Sequence, residues 1–130
     1  VVDWELAEWT GLAGHDHTFF LAYAAFAVDR AATVPAQRET LRRALLTPGG
    51  WARDRLEAEL ARLDVPARLL DAIVLACWAR YTTNVLLRLS GGATGAARPV
   101  PAATAAWLGA NRHYALWQEA LAAAEARRDG

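Results

Sequence analysis

A chain of 130 residues that is 55% hydrophobic is long and apolar enough to bury a core as one domain, which excludes a disordered polypeptide. Its 14 Arg and no Lys balance 14 Asp plus Glu, so at zero formal net charge no global field draws it to nucleic acid or to an anionic membrane. The single cysteine, Cys77, excludes a disulfide framework within the chain and fits a reducing cytoplasm; its apolar neighbours favour a small buried hydrophobe over an exposed nucleophile.

The chain opens Val1-Val2-Asp3-Trp4-Glu5. Two β-branched residues suit a pleated strand, and no Met, charged leader or apolar signal segment stands ahead of them. We expect a short extended N-terminal segment here. From His15 the pattern turns helical: Phe19, Tyr23, Phe26 and Arg30 recur at spacings of four, three and four, predicting a helix over 16–32 with Asp16 as its N-cap. Thr33-Val34-Pro35 breaks the run, and Pro35 suits the first turn of a second helix reaching Leu46. Thr47-Pro48-Gly49-Gly50 is a turn. A peripheral, amphipathic third helix over 51–63 carries Leu56, Leu60 and Leu63 on one face.

Asp64-Val65-Pro66 introduces the longest and most apolar helix, over 66–89, in which Leu70, Ile73, Val74, Cys77, Trp78, Tyr81, Val85 and Leu86 cover more than one stripe and place it centrally. Residues 90–101, SGGATGAARPVP, read as a surface loop. A last helix over 102–128 spaces Trp107, Tyr114 and Leu121 seven apart, a packing seam. The fold class is all-α: a bundle of about five helices with a short extended N-terminal segment, residues 1–130 forming a single helical domain. The apolar runs FFLAYAAFAV and LLDAIVLACWA are too short for a membrane span.

Trp51, Trp107 and Trp117 fall on the predicted stripes and are expected in the core, whereas Trp78, Tyr81 and Tyr114 are candidates to line a cleft at one end of the bundle. His15-Asp16-His17 is the one run of metal-ligand types. Consecutive helical side chains diverge by about 100 degrees, and a closed site needs further ligands, so the reading that asks least is an Asp N-cap between polar neighbours. The SGGATG run lacks the Lys and the strand-to-helix setting of a phosphate-binding loop.

Asp3-Trp4-Glu5 after a β-branched pair resembles the metal-binding segment of the aminoglycoside phosphotransferase and choline kinase-like family, where an Ile-Asp-Trp-Glu type sequence plays the part of Asp-Phe-Gly in protein kinases. Gly11-Leu12 and then Asp16 ahead of FFLAYAAF stand at that family's spacing, and PGGWARDRLEAEL, Val65-Pro66 and the long apolar helix extend the likeness over most of the chain. Many relatives carry a Pro and a large apolar residue before the second Asp; this chain has Ala13-Gly14-His15. The resemblance implies the C-terminal helical subdomain of a kinase-like fold, the C-terminal portion of a larger chain. It implies that Asp3 holds the magnesium of a Mg-ATP cofactor, that Glu5 lies on the substrate side with Trp78, Tyr81 and Tyr114, and that Asp16 is structural, bonding to the catalytic loop. The catalytic base and the nucleotide lobe are then expected upstream, making the kinase-like lobes of the same protein its partners and a small-molecule alcohol its substrate. Two other readings stand beside it: a stand-alone helical interaction module, and a small metal-dependent hydrolase using His15, Asp16 and His17.

Overall fold

The computed structural model describes residues 12–89 and 102–128. Every regular element among them is helical: α1 (His15–Val28), α2 (Val34–Leu41) continued by a π-helical turn (Arg42–Leu46), α3 (Trp51–Arg62), a short 3-10 turn (Ala67–Leu69), α4 (Leu70–Leu89), α5 (Ala102–Ala110) and α6 (Arg112–Arg128). The all-α bundle expected from the periodicity is therefore the fold. The extended opening and the loop over 90–101 lie outside the described residues.

The expected Asp16 cap is corrected by the geometry of the first turn. α1 starts one residue earlier, and its N-cap is Gly14, in the left-handed region at φ 76° with no side-chain cap. A Cβ at Gly14 would sit 2.9 Å from Leu60 Cδ2, so this turn both needs glycine's conformation and presses against α3. Thr18 supports the turn by donating its hydroxyl to the Gly14 carbonyl at 2.8 Å.

α1 also stops short of 32. Arg30 takes φ 53°, and the Ala31 amide reaches back to the Phe26 carbonyl at 2.8 Å while Arg30 N–H meets Ala27 O at 3.2 Å. That is a Schellman ending with an arginine where glycine is usual. α3 ends the same way, with Asp64 at φ 55°, Val65 N–H on Leu60 O and Asp64 N–H on Ala61 O. α2 follows the sequence closely: Thr33 accepts Ala36 N–H and Pro35 lies in the first turn. Gly50 is fixed by proximity, since a Cβ there would lie 2.4 Å from the Ala44 carbonyl oxygen of the π-helical turn.

The largest correction concerns the single helix expected over 102–128. Asn111 divides it, and its side-chain oxygen accepts the N–H groups of His113 (2.9 Å) and Tyr114 (3.2 Å), which makes it the N-cap of a separate α6.

The core joins Leu21, Ala22 and Phe26 of α1 to Leu41 and Leu45, to Leu56 and Leu60 of α3, to Leu70, Val74, Cys77 and Trp78 of α4, and to Leu116 and Ala120 of α6. α4 is central as expected, with α6 packed along it. Cys77 is fully buried, and burial pushes its thiol up to about 11, which leaves it protonated and inert at neutral pH. Trp51 does not join the core. The buried ladder of α3 runs Ala52, Leu56, Leu60, one position away, and leaves the indole 45% exposed. Leu63, at the C-cap, turns outward as well. Trp107 is half-buried, and Trp117 packs against the core from its edge. Among the described residues no helix is long and apolar enough to cross a membrane.

Candidate functional site

The N-terminal turn of α6 carries the densest meeting of aromatic and titratable side chains. Because Asn111 caps the helix, Arg112 and His113 occupy its first turn, and His113 points inward, only 9% exposed. α1 contributes His15, Phe19 and Tyr23, and α4 contributes Trp78 and Tyr81. The Phe19 ring lies 4.8 Å from Trp78 and 5.0 Å from Tyr81 between centroids, and the imidazole of His113 lies 4.4 Å from Tyr81 and stacks at 6.3 Å over Trp78. Trp78 forms the floor, with no exposed surface.

Burial in this apolar setting lowers the His113 pKa to about 4, and the neighbouring Arg112 cation works in the same direction. The exposed amides of a helix N-terminus add to the penalty on an imidazolium. His113 is thus neutral at pH 7. Arg112 places a guanidinium nitrogen 3.5 Å from His113 Nε2 and 3.4 Å from the Tyr23 hydroxyl, with its carbon 5.7 Å over the Tyr23 ring. Since guanidinium only donates, Nε2 is the accepting nitrogen and Nδ1 carries the proton. That Nδ1, like Trp78 Nε1, is buried without a hydrogen-bond partner. The cluster accordingly offers flat apolar walls and buried N–H donors. It does not offer a base, because a histidine with a pKa of about 4 takes protons poorly at neutral pH.

The structure brings Trp78 and Tyr81 together but sends Tyr114 elsewhere, stacked on Trp117 at 5.6 Å. Asp3 and Glu5 lie outside the described residues. Asp16 is fully exposed in the first turn of α1, 3.2 Å from His15 Nδ1. His15 leans on Phe19 at 5.0 Å while His17 turns toward Glu59 at 3.8 Å, so the His-Asp-His run diverges. Among the described residues no group of three His, Cys, Asp or Glu could hold a metal ion. His113 and Phe19 escaped the sequence reading. The available signal was Gly109-Ala110-Asn111, a stop followed by a capping residue, which puts position 113 on a first turn.

A second concentration of charge lies farther along α6. Glu119, nearly buried, accepts from Arg38 Nε at 2.9 Å and from Arg42 Nε at 2.7 Å; burial alone would raise its pKa, but the two arginines outweigh it and hold the carboxyl below its ordinary value. Arg42 also pairs with Glu39. Asp71 of α4 accepts from Arg53 (2.8 Å) and Arg127 (2.7 Å), and Arg127 donates onward to the Leu46 carbonyl at 2.6 Å. Again burial opposes and the arginines win, keeping Asp71 ionised. Asp29 is held low by the Thr40 hydroxyl and by Arg43. The pairs of Glu119 and Arg127 fasten α6 to α2, to its π-helical continuation and to α4, and both oxygens of Glu119 and of Asp71 are engaged, which makes these two carboxylates structural rather than catalytic.

No family model, curated protein or solved structure matches the chain.

Proposed function

We propose that this chain is the C-terminal helical subdomain of an ATP-dependent small-molecule phosphotransferase of kinase-like type, acting on an alcohol in the cytoplasm. The observation that carries the reading is Val1-Val2-Asp3-Trp4-Glu5 standing directly ahead of an all-helical bundle whose first helix opens at His15. Transfer of a phosphoryl group is mostly positioning and charge neutralisation. A hard divalent cation favours carboxylate oxygen, so Asp3, with Glu5 close by in sequence, has the donor chemistry that magnesium takes. The metal, when bound, would neutralise phosphate charge. In this reading the remaining donors, the base and the nucleotide lobe belong to upstream lobes of the same protein. Tyr81, with Phe19 beside it, would form part of the apolar wall facing the acceptor's skeleton, backed from beneath by the buried Trp78 and His113.

The reading is tested by assaying magnesium-dependent ATP turnover against a panel of aminoglycosides, sugars and choline-like alcohols, using the full-length parent beside the isolated chain. The parent should transfer phosphate to at least one class and the isolated chain to none. A parent without magnesium-dependent turnover, or an isolated chain that turns over alone, contradicts the proposal. A second reading, a stand-alone helical interaction module, is favoured by one observation: the outer face of α1 leaves Phe20 71% and Val28 73% exposed.

A further inference from the structure

α1 is apolar on both sides. Thr18, Leu21, Ala22, Ala25 and Phe26 face the core. Phe20, Ala24, Ala27 and Val28, at the spacing of a second helical stripe, line the opposite side; Phe20, Ala27 and Val28 are exposed, Ala24 is partly covered, and Tyr23 at the edge is largely covered by Phe26 and Arg112. A helix with two apolar faces satisfies only one of them in this bundle.

The pattern of the outer face indicates what covers it. It is centred on Ala24, with a large side chain one turn to either side, Phe20 toward the N-terminus and Val28 toward the C-terminus, and a second small residue in Ala27. Small residues at the centre let two helices approach closely while the large ones fill the space beside them. The ends carry opposite charge. Asp16, in the first turn, has a fully exposed side chain, and Arg30, just past the last turn, is exposed with no ion-pair partner among the described residues.

We propose that this face is a self-association surface, on which α1 packs antiparallel against α1 of a second copy of the chain about a two-fold axis near Ala24. In that arrangement Phe20 meets Val28 of the second copy, Ala24 meets Ala24, and each Asp16 comes alongside the opposite Arg30. A parallel pairing would set Asp16 on Asp16 and Arg30 on Arg30 and would align the helix dipoles unfavourably. The antiparallel contact is isologous and closes on itself, so it yields a dimer and not a filament. This proposal stands independently of the phosphotransferase reading, since it uses no residue of the Asp3 segment or of the His113 cluster's interior.

Sedimentation equilibrium on the chain 1–130 tests it. The expected result is a monomer–dimer equilibrium. Phe20→Glu and, separately, Val28→Glu should each weaken dimerisation by on the order of thirtyfold or more while leaving the circular dichroism spectrum unchanged, because both positions face solvent in the monomer. Asp16→Arg should weaken it a few-fold through two lost surface pairs and two repulsions, and the exchanged variant Asp16→Arg/Arg30→Asp should recover the parental constant. A chain that stays monomeric at every concentration overturns the proposal. So does a dimer indifferent to Phe20→Glu, which would place the interface elsewhere, or a failure of the charge exchange to rescue, which would rule out the antiparallel register.

Discussion

The two halves of α6 are fastened to the bundle by opposite means. At its N-terminal turn, His113 is stripped of charge and packed among Trp78, Tyr81 and Phe19, with Nδ1 left without a partner. Farther along, Glu119 and Arg127 keep their charges and spend them on Arg38, Arg42 and Asp71. One half leaves hydrogen bonds unmade for apolar packing; the other sets saturated ion pairs beside the buried Ala120. The difference shows why the N-terminal turn is the better candidate for binding. Its unspent donors lie enclosed, but Phe19 and Tyr81 still present part of their rings, whereas every carboxylate of the clamps is already taken.

Acid separates the two halves most strongly. Unfolded His113 takes its proton near its ordinary value of 6.5, whereas in the fold it holds off to about 4. Between those values the unfolded state binds more protons, so stability should fall as pH drops through this window, by on the order of 3 kcal/mol once pH reaches about 4. Asp71 and Glu119 have depressed values instead, so their contribution is present above their ordinary 3.8 and 4.5 and is lost only below these. Thermal unfolding followed by circular dichroism at pH 7, 5.5 and 4.5 should show a declining midpoint that His113→Phe flattens. A midpoint constant over that range would break the assignment of a neutral, protected imidazole.

Within the charged half, the cost of losing a carboxylate should follow the burial of what it strands and not its own. Asp71→Asn leaves Arg53, whose side chain is 10% exposed, with only Glu57 for company, and should cost about 2 to 3 kcal/mol. Glu119→Gln removes the more buried carboxylate, yet its arginines are 45% and 49% exposed and turn to water, so about 1 kcal/mol is expected. Urea denaturation of both variants ranks them; the reverse order would show that carboxylate burial governs. At the start of α6, Asn111→Ala should cost about 1 kcal/mol by uncapping the helix. Asp16→Ala should change stability by no more than a few tenths, since it caps nothing.

Periodicity located the helices well, because each buries a stripe that repeats every three to four residues. Boundaries were harder to read, for identifiable reasons. Asp16 is the residue type of an N-cap, but Gly14 two positions earlier reached the left-handed conformation that starts the helix. α1 and α3 end on Arg30 and Asp64 in a conformation that glycine usually announces. Asn111 was hidden inside an alanine-rich run whose spacing continues across it. Of the aromatic cluster, Trp78 and Tyr81 were legible as i, i+3 neighbours on one helix, whereas Phe19 and His113 join them only through packing of α1 and α6 onto α4. That long-range assembly leaves no periodic trace in the sequence.

The functional account rests on the carboxylate of Asp3. Its most direct test is magnesium-dependent ATP turnover of the proposed full-length parent carrying Asp3→Asn, with thermal unfolding measured alongside. A fixed anionic ligand for the metal is what the transfer requires. The account predicts that Asp3→Asn leaves the unfolding midpoint in place while turnover falls by several orders of magnitude. Near-parental turnover in Asp3→Asn would contradict it.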